Sequence, residues 1–293
     1  MSGNIQIRVL DRPDEMRAAE ELQSLVWQGS PLDVIPGHLA LAISHNGGAV
    51  AGAYDGGKLV GFVLGFIGTD SESPGRVAMT RLKHHSHELA VHPDYRNRGI
   101  GYALKLAQRE LVMRQGIRLI SWTYDPLLSV NAQLNIRRLG AVCSTYLEDA
   151  YGAMRDGLNL GDHSDRFHVD WWITSRRVET RLRNERKPLD LAHFLSAGAE
   201  KVNPTKLDAS GLLIPGEEIY RPEGTFALVE IPPDYLHLKS VDPELANRWR
   251  MQTRKIFKDV FERGYLVTDF IHLREERYPR SYYLLSHGEG TLG

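Results

Sequence analysis

The sequence has one cysteine, Cys143, among 293 residues. An internal disulfide is therefore excluded, and the chain suits a reducing compartment. That thiol lies in the run Ala141 to Leu147, where a small buried hydrophobe is the ordinary role. Net charge is just as scarce: 36 Lys and Arg against 37 Asp and Glu leave −1. No overall field points to nucleic acid or to an anionic membrane. No apolar run nears the roughly 20 residues a membrane helix needs, and the first residues lack the apolar core of a signal peptide. The expectation is a soluble, cytoplasmic protein with neither nucleic acid nor membrane as partner. No Cys/His or Ser/His grouping suggests a covalent nucleophile. His85 and His87 share a strand face, but no third and fourth ligand follows at a recognisable spacing, so no metal is expected.

What is present is a clear series of elements. Ile5 to Leu10 alternates as an opening strand. Asp11-Arg12-Pro13-Asp14 starts a helix to about Trp27, with Met16, Ala19, Leu22 and Val26 facing inward. A second short helix begins near Pro36. Ala49 to Tyr54 and Leu59 to Ile67, joined by Asp55-Gly56-Gly57-Lys58, read as a hairpin, and Thr69 to Gly75 as a polar loop. Met79 to Val91 reads as a strand, Ile117 to Thr123 as another, and Val130 to Leu139 as a helix closed by Gly140. Ala141 to Tyr146 and Arg166 to Thr174 are strands flanking a loop, Glu148 to Asp165. In the second strand Phe167, Val169, Trp171 and Ile173 alternate against polar or exposed positions.

The stretch from His87 to Gly116 organises the rest. A short apolar strand, Leu89-Ala90-Val91, leads through Pro93 to a loop with Arg96 and Arg98, then to a helix opening at Gly99-Ile100-Gly101. The first turn of a helix has N–H groups without partners and roughly half a positive charge. Glycines there let a phosphate approach the main chain. No acidic residue follows in the helix until Glu110. Ile100, Ala103, Leu104, Ala107 and Leu111 recur as one buried face. The P-loop pattern fails for want of Lys and Ser or Thr after the second glycine, and the dinucleotide fingerprint is also unmet.

The pattern R-x-x-G-x-G, Arg96 to Gly101, after a strand ending Val91-His92-Pro93, resembles the pyrophosphate segment of the GNAT superfamily of N-acyltransferases. The run from Tyr124 to Val142 resembles that superfamily's second signature at Ala132 and Leu139-Gly140, and the likeness extends to a subgroup of predicted bacterial members. It implies an α/β (α+β) fold with a mixed, splayed central sheet flanked by helices. It also implies an acyl-coenzyme A cofactor, acetyl-CoA or another such as succinyl-CoA. Main-chain groups of Leu89, Ala90 and Val91 on a bulged strand would hold the pantetheine arm, and Val91 N–H would polarise the thioester carbonyl. Arg96, Asn97, Arg98, Gly99, Ile100, Gly101 and Tyr102 would hold the diphosphate, and Asn131 would also line the cofactor. The amine would attack directly. Glu88 is the leading base and His87 its rival; strict alternation sets them on opposite faces, so only one could meet the substrate. The family's tyrosine, which often protonates the departing thiolate, is replaced by Ile136. Tyr124, Tyr146 or Tyr151 could stand in, or catalysis has been lost and the chain is a regulatory acyl-CoA-binding module. An α-amine needs about one pH unit of help at pH 7 and a lysine about three. That favours a small-molecule amine such as an amino acid, whose carboxylate Arg166 could pair.

The resemblance covers residues 1–178, taken as an acyltransferase domain, and leaves 179–293 as a C-terminal α/β region of its own. Arg176 to Lys187 reads as a solvated connector. Phe226 to Ile231, then a helix from Asp242-Pro243 to about Arg263 with Leu245, Trp249, Ile256 and Val260 apolar, then a hairpin of Tyr265 to Leu273 and Ser281 to Leu285, echo the second half of the same fold. The glycine motif is missing there. A degenerate copy that covers the cleft or forms a homodimer is the expectation.

Overall fold

The computed structural model describes residues 5–29, 31–70, 75–152, 161–185, 189–274 and 277–288. They divide into two compact units, one holding the described residues up to Trp122, the other those from Thr123 onward.

The first unit runs β1 (Ile5–Val9), α1 (Pro13–Trp27), α2 (Gly37–His45), β2 (Ala49–Asp55), β3 (Lys58–Thr69), β4 (Leu82–Val91) and α3 (Ile100–Arg114), and ends within β5 (Leu119–Tyr124). β1 to β4 pair antiparallel in order, and β5 joins β4 in parallel. Proline fits the first turn of α1, and Glu15 accepts the N–H groups of Asp11 and Arg12 at 3.0 and 3.2 Å. This satisfies donors that the helix cannot. Met16, Ala19 and Leu22 then pack with Leu10, Phe62, Leu64 and Ala90 on one sheet face. On the other face Ile100 and Leu104 of α3 pack with Ala51, Ala53, Val60 and Val63. Each large side chain so buried contributes roughly 1.5–3 kcal/mol. The predicted strand at Met79 to Arg81 is instead a 3-10 turn, Ala78–Arg81, with Met79 exposed. Part of the predicted loop Thr69 to Gly75 lies outside the described residues.

The second unit begins with α4 (Ser129–Ala132), which continues as a π-helical turn over Gln133–Arg138. Then come β6 (Val142–Leu147), β7 (Arg166–Trp172), α5 (Arg176–Leu182), α6 (Leu191–Ser196), β8 (Glu200–Lys201), β9 (Thr205–Leu207), β10 (Leu213–Pro215), β11 (Phe226–Ile231), α7 (Tyr235–Val241), α8 (Pro243–Glu262), β12 (Leu266–Leu273) and β13 (Arg280–Ser286). The strands stand in the order β7, β6, β12, β13, β11, β8. β13 pairs antiparallel with both β11 and β12, so it occupies the place between the two strands that α8 connects. Leu245, Trp249, Ile256 and Val260 are buried on α8 as their spacing requires.

The charged run from Arg176 is no solvated connector. It forms α5, and Arg181 donates to the carbonyls of Ile136 and Arg137 at 3.2 and 2.7 Å and to Asp269 at 3.1 Å. Arg177 donates to Gly140 O at 3.2 Å. The last carbonyls of a helix lack intrahelical donors, and these guanidinium groups supply them. Residues 186–188 of the run lie outside the described residues.

Candidate cofactor and amine site

The turn into α3 has the geometry of an anion cradle. Asn97 and Gly99 both adopt positive φ, 62° and 79°, which turns successive N–H groups to one side. Gly99 O accepts the first helical bond from Ala103 at 3.0 Å. The N–H groups of Ile100, Gly101 and Tyr102 therefore precede the helical ladder. A Cβ placed at Gly99 would meet no protein atom within 4 Å, so the space ahead of the turn is open. The turn is anchored by Tyr95, whose hydroxyl donates to Asp55 at 3.0 Å. Arg98 lies over the Tyr95 ring, 4.8 Å from its centroid. Arg96 reaches back to Val91 O at 3.4 Å. Both arginines are exposed, and neither forms an ion pair among the described residues. The site fits a diphosphate: main-chain donors, flanking cations and no intervening side chain.

Beside it the sheet opens. β4 and β5 share register only at His84 with Ile120 and His85 with Ser121. Beyond those positions Leu89, Ala90 and Val91 stay paired to β3 on one side and have no β5 partner on the other. A slot flanked by strand edges remains.

The bulge in β4 does not fall at Leu89 or Val91. Leu64 pairs with Glu88 but Gly65 with Ser86, so His87 is the extra residue. This overturns the expectation that His87 and Glu88 lie on opposite faces. Glu88 stands across from Leu64, which packs toward α1 and α2. His87 stacks with Phe66 and His85, each at 5.9 Å between ring centroids, on that same face. A bulge sets two consecutive side chains on one side of a sheet. His87 is exposed and Glu88 half-buried. Among the described residues Glu88 Oε2 is buried without a hydrogen-bond partner, and so is Ser121 Oγ one strand away. Desolvation raises the Glu88 carboxyl to about 7, which makes it a proton acceptor near neutral pH.

The opposite face carries a polar cluster that the apolar spacing of α3 did not reveal. Lys105 and Gln108 are buried there at 3 % and 0 % exposure. Lys105 Nζ donates to Ser86 Oγ at 2.6 Å and to Gln108 Oε1 at 3.3 Å, and lies 3.7 Å from the Trp122 ring centroid. The signal was available: Ile100, Leu104, Gln108 and Val112 recur every four residues, with Lys105 next to that stripe.

The remaining expected residues belong to the second unit. Tyr124 is buried, with its hydroxyl 3.1 Å from that of Tyr283. Tyr283 donates its own proton to Pro126 O at 2.8 Å, so Tyr124 donates to Tyr283. Burial and Tyr283 raise its pKa well above the usual phenol. Tyr146 donates to Asp165 at 2.6 Å, and the Tyr151 hydroxyl lies 2.6 Å from Thr123 Oγ1. Ile136 is fully buried. Asn131 is half-buried on α4. Arg166 donates to Asp165 O at 2.8 Å and lies 5.5 Å from the Tyr151 ring centroid. Cys143 is buried, and that burial pushes its thiol up. Asp149, His163 and Asp165 lie close enough together to suit a cation. Arg254 supplies that charge, 2.6 Å from Asp165 and 3.3 Å from Asp149.

Residues 14–134 match the acetyltransferase (GNAT) family. No curated protein matches the chain. Among solved structures, the ribosomal-protein-S18-alanine N-acetyltransferase from Escherichia coli is 15% identical, with a TM-score of 0.43 over 58% of this chain and 94% of that one. The yncA protein from Salmonella typhimurium, solved with its cofactor acetyl-CoA, is 15% identical, with a TM-score of 0.43 over 59% and 96%. NAA60 from Arabidopsis thaliana, in complex with a bisubstrate analogue, is 18% identical, with a TM-score of 0.45 over 58% and 98%.

Proposed function

We propose, from the premise that residues 14–134 belong to the acetyltransferase (GNAT) family, that this chain moves an acetyl or related acyl group from coenzyme A to a small α-amine such as an amino acid. The cofactor supplies an activated thioester when bound. The N–H groups of Ile100, Gly101 and Tyr102 hold its diphosphate, with Arg96 and Arg98 beside them. The Leu89 edge and the Val91 N–H, which face away from β3, bond its amide arm in the manner of a neighbouring strand. With that arm along Leu89 and Val91, the acyl group lies further along β4, toward Glu88 and the last positions paired with β5.

Glu88 removes the proton from the incoming ammonium. The observation that carries this role is a buried carboxylate oxygen with no partner, on the edge of the slot. Its pKa near 7 lies about one unit below an α-ammonium and about three below a lysine. The match favours the α-amine. The single thiol is buried, which leaves it out of the transfer.

The test is thermal stabilisation by acetyl-CoA, succinyl-CoA and free coenzyme A, followed by thiol release over α-amines with and without a carboxylate. Stabilisation with turnover is expected. Stabilisation without turnover for any amine would support a regulatory acyl-CoA-binding module, a reading favoured by Ile136 and the engaged tyrosines. No stabilisation by any of the three would remove both readings.

A further inference from the structure

Lys105 is a buried ammonium with no carboxylate beside it among the described residues. α3 brings it against the sheet where β4 and β5 part: Ser86 and Trp122, its contacts on the two strands, each stand one residue beyond the last paired positions, His85 and Ser121. Nζ therefore sits at the apex of the slot, on the face opposite Glu88. From β4 the facing groups are Ser86 and His84. His84 is kept neutral down to about pH 3, mainly by burial and then by Lys105 and His85. From β5 the facing group is Trp122, from β3 Gly65, and from α3 itself Gln108. A Cβ on Gly65 would come within 2.3 Å of His84 Nε2 and 2.9 Å of Gln108 Nε2. The glycine is what lets this polar group pack against the strand. Among the described residues no carboxylate pairs with Lys105. A desolvated cation of this kind costs stability unless an anion joins it.

The proposed reaction makes one anion in the slot. As the amine nitrogen bonds to the acyl carbon, the carbon–sulfur bond breaks and its electron pair leaves on sulfur. We propose that Lys105 donates the proton that this sulfur takes up, in place of the tyrosine that Ile136 replaces. Two protons leave the nitrogen: Glu88 takes the ammonium proton and passes it to water before attack, then takes the second as the amide forms; Lys105 is left neutral, and both groups return to their starting states by exchange with water. Burial lowers the Lys105 ammonium to about 7, so near neutral pH it can meet the departing sulfur as a cation and then part with its proton. Tyr124, Tyr146 and Tyr151 all have their hydroxyls engaged. The inference rests on the proposed acyl-CoA site.

The test that separates the two titrates the thiol of bound coenzyme A by its thiolate absorbance, without turnover. In the wild type the bound thiol is expected to ionise at least one pH unit below free coenzyme A, and in Lys105→Met at or above the free value. Equal titration in both, with coenzyme A bound to each, overturns the role of Lys105 and leaves the proposed function standing. Failure of coenzyme A to bind the wild type removes both. Lys105→Arg is expected to keep the lowered thiol titration and to lose acyl transfer by 100-fold or more, because a guanidinium does not give up its proton. Should the variants not fold, labelled-lysine NMR on the wild type decides: the Lys105 side chain titrates near pH 7 alone and higher with coenzyme A bound, and no change on binding counts against the proposal. Turnover should fall on the alkaline side of pH 7 in the wild type and lose that fall in Lys105→Met; a fall that survives the substitution assigns the proton to another group.

Discussion

Each unit packs a helix against the sheet through a fully buried cation, and the two cations differ in what surrounds them. Arg250 on α8 makes a two-pronged pair with Asp125 at 2.8 and 2.7 Å and a second pair with Asp162 at 3.0 Å. Burial works against its charge, yet Asp125 and Asp162 outweigh it and hold the guanidinium above its ordinary value. Lys105 on α3 has a hydroxyl, an amide and an indole, and burial lowers it to about 7. A compensated charge is fixed and structural. An uncompensated one can titrate near neutral pH and waits for an anion. The strands agree: β13 fills the place between β11 and β12, whereas β4 and β5 diverge and leave theirs open.

The sharpest way to break that contrast is Arg250→Met, which strands Asp125 and Asp162 in the interior. A loss of about 3–5 kcal/mol is expected, read as a large fall in the denaturant midpoint; a loss under about 1 kcal/mol would mean that the pair is not structural.

Glu88→Gln comes next. If Glu88 is the base, acyl transfer falls by about 100-fold or more above pH 7, where the wild-type carboxylate is ionised, and the rise of rate through pH 7 disappears. A variant with an unchanged pH profile removes Glu88 from the role. Stability gives an independent check with a defined sign. The unfolded carboxyl loses its proton near 4.5 and the folded one near 7. The folded state thus binds the extra proton between those values, and wild-type stability declines as pH rises from about 4.5 to 7. Glu88→Gln should lack that decline, a difference of about 3 kcal/mol by pH 8.

Lys105→Met should move stability in the opposite direction to Arg250→Met. The folded ammonium loses its proton near 7 and the unfolded one near 10.5, so wild-type stability rises as pH climbs between those values. The variant is expected to be more stable than the wild type at pH 6, by about 2 kcal/mol once its lost contacts are allowed for, with the gap closing at about pH 8.5 and reversing above it. Destabilisation at every pH would show that the cation is paid for by its present neighbours. The smallest effect is on the cradle: Arg96→Ala should weaken acetyl-CoA binding about tenfold by calorimetry, and less at high salt, with folding intact.

The turn into α3 was legible in the sequence because its parts are local. A strand, a turn with glycines and a helix start within some fifteen residues specify a set of N–H directions whatever surrounds them. The amphipathic α8 and the alternation of Phe167, Val169, Trp171 and Ile173 were legible for the same reason. Errors arose where a local rule met a long-range partner. Strict alternation misplaced His87 because the bulge depends on how β3 and β4 register, with Leu64 opposite Glu88 and Gly65 opposite Ser86. The Arg176 run looked solvated because its partners, the carbonyls of Ile136, Arg137 and Gly140, come from a distant helix end.

The chain by itself determined the glycine turn that opens α3 and which residues repeat on a buried face, since backbone sterics, periodicity and helix termini act within a few residues. Tertiary structure alone decided which ionisable groups lose their water. The carboxyl of Glu88, the ammonium of Lys105 and the guanidinium of Arg250 owe their different proton affinities to burial and to partners up to 125 residues away. Desolvation is a property of the folded surroundings, and no spacing along the chain encodes it.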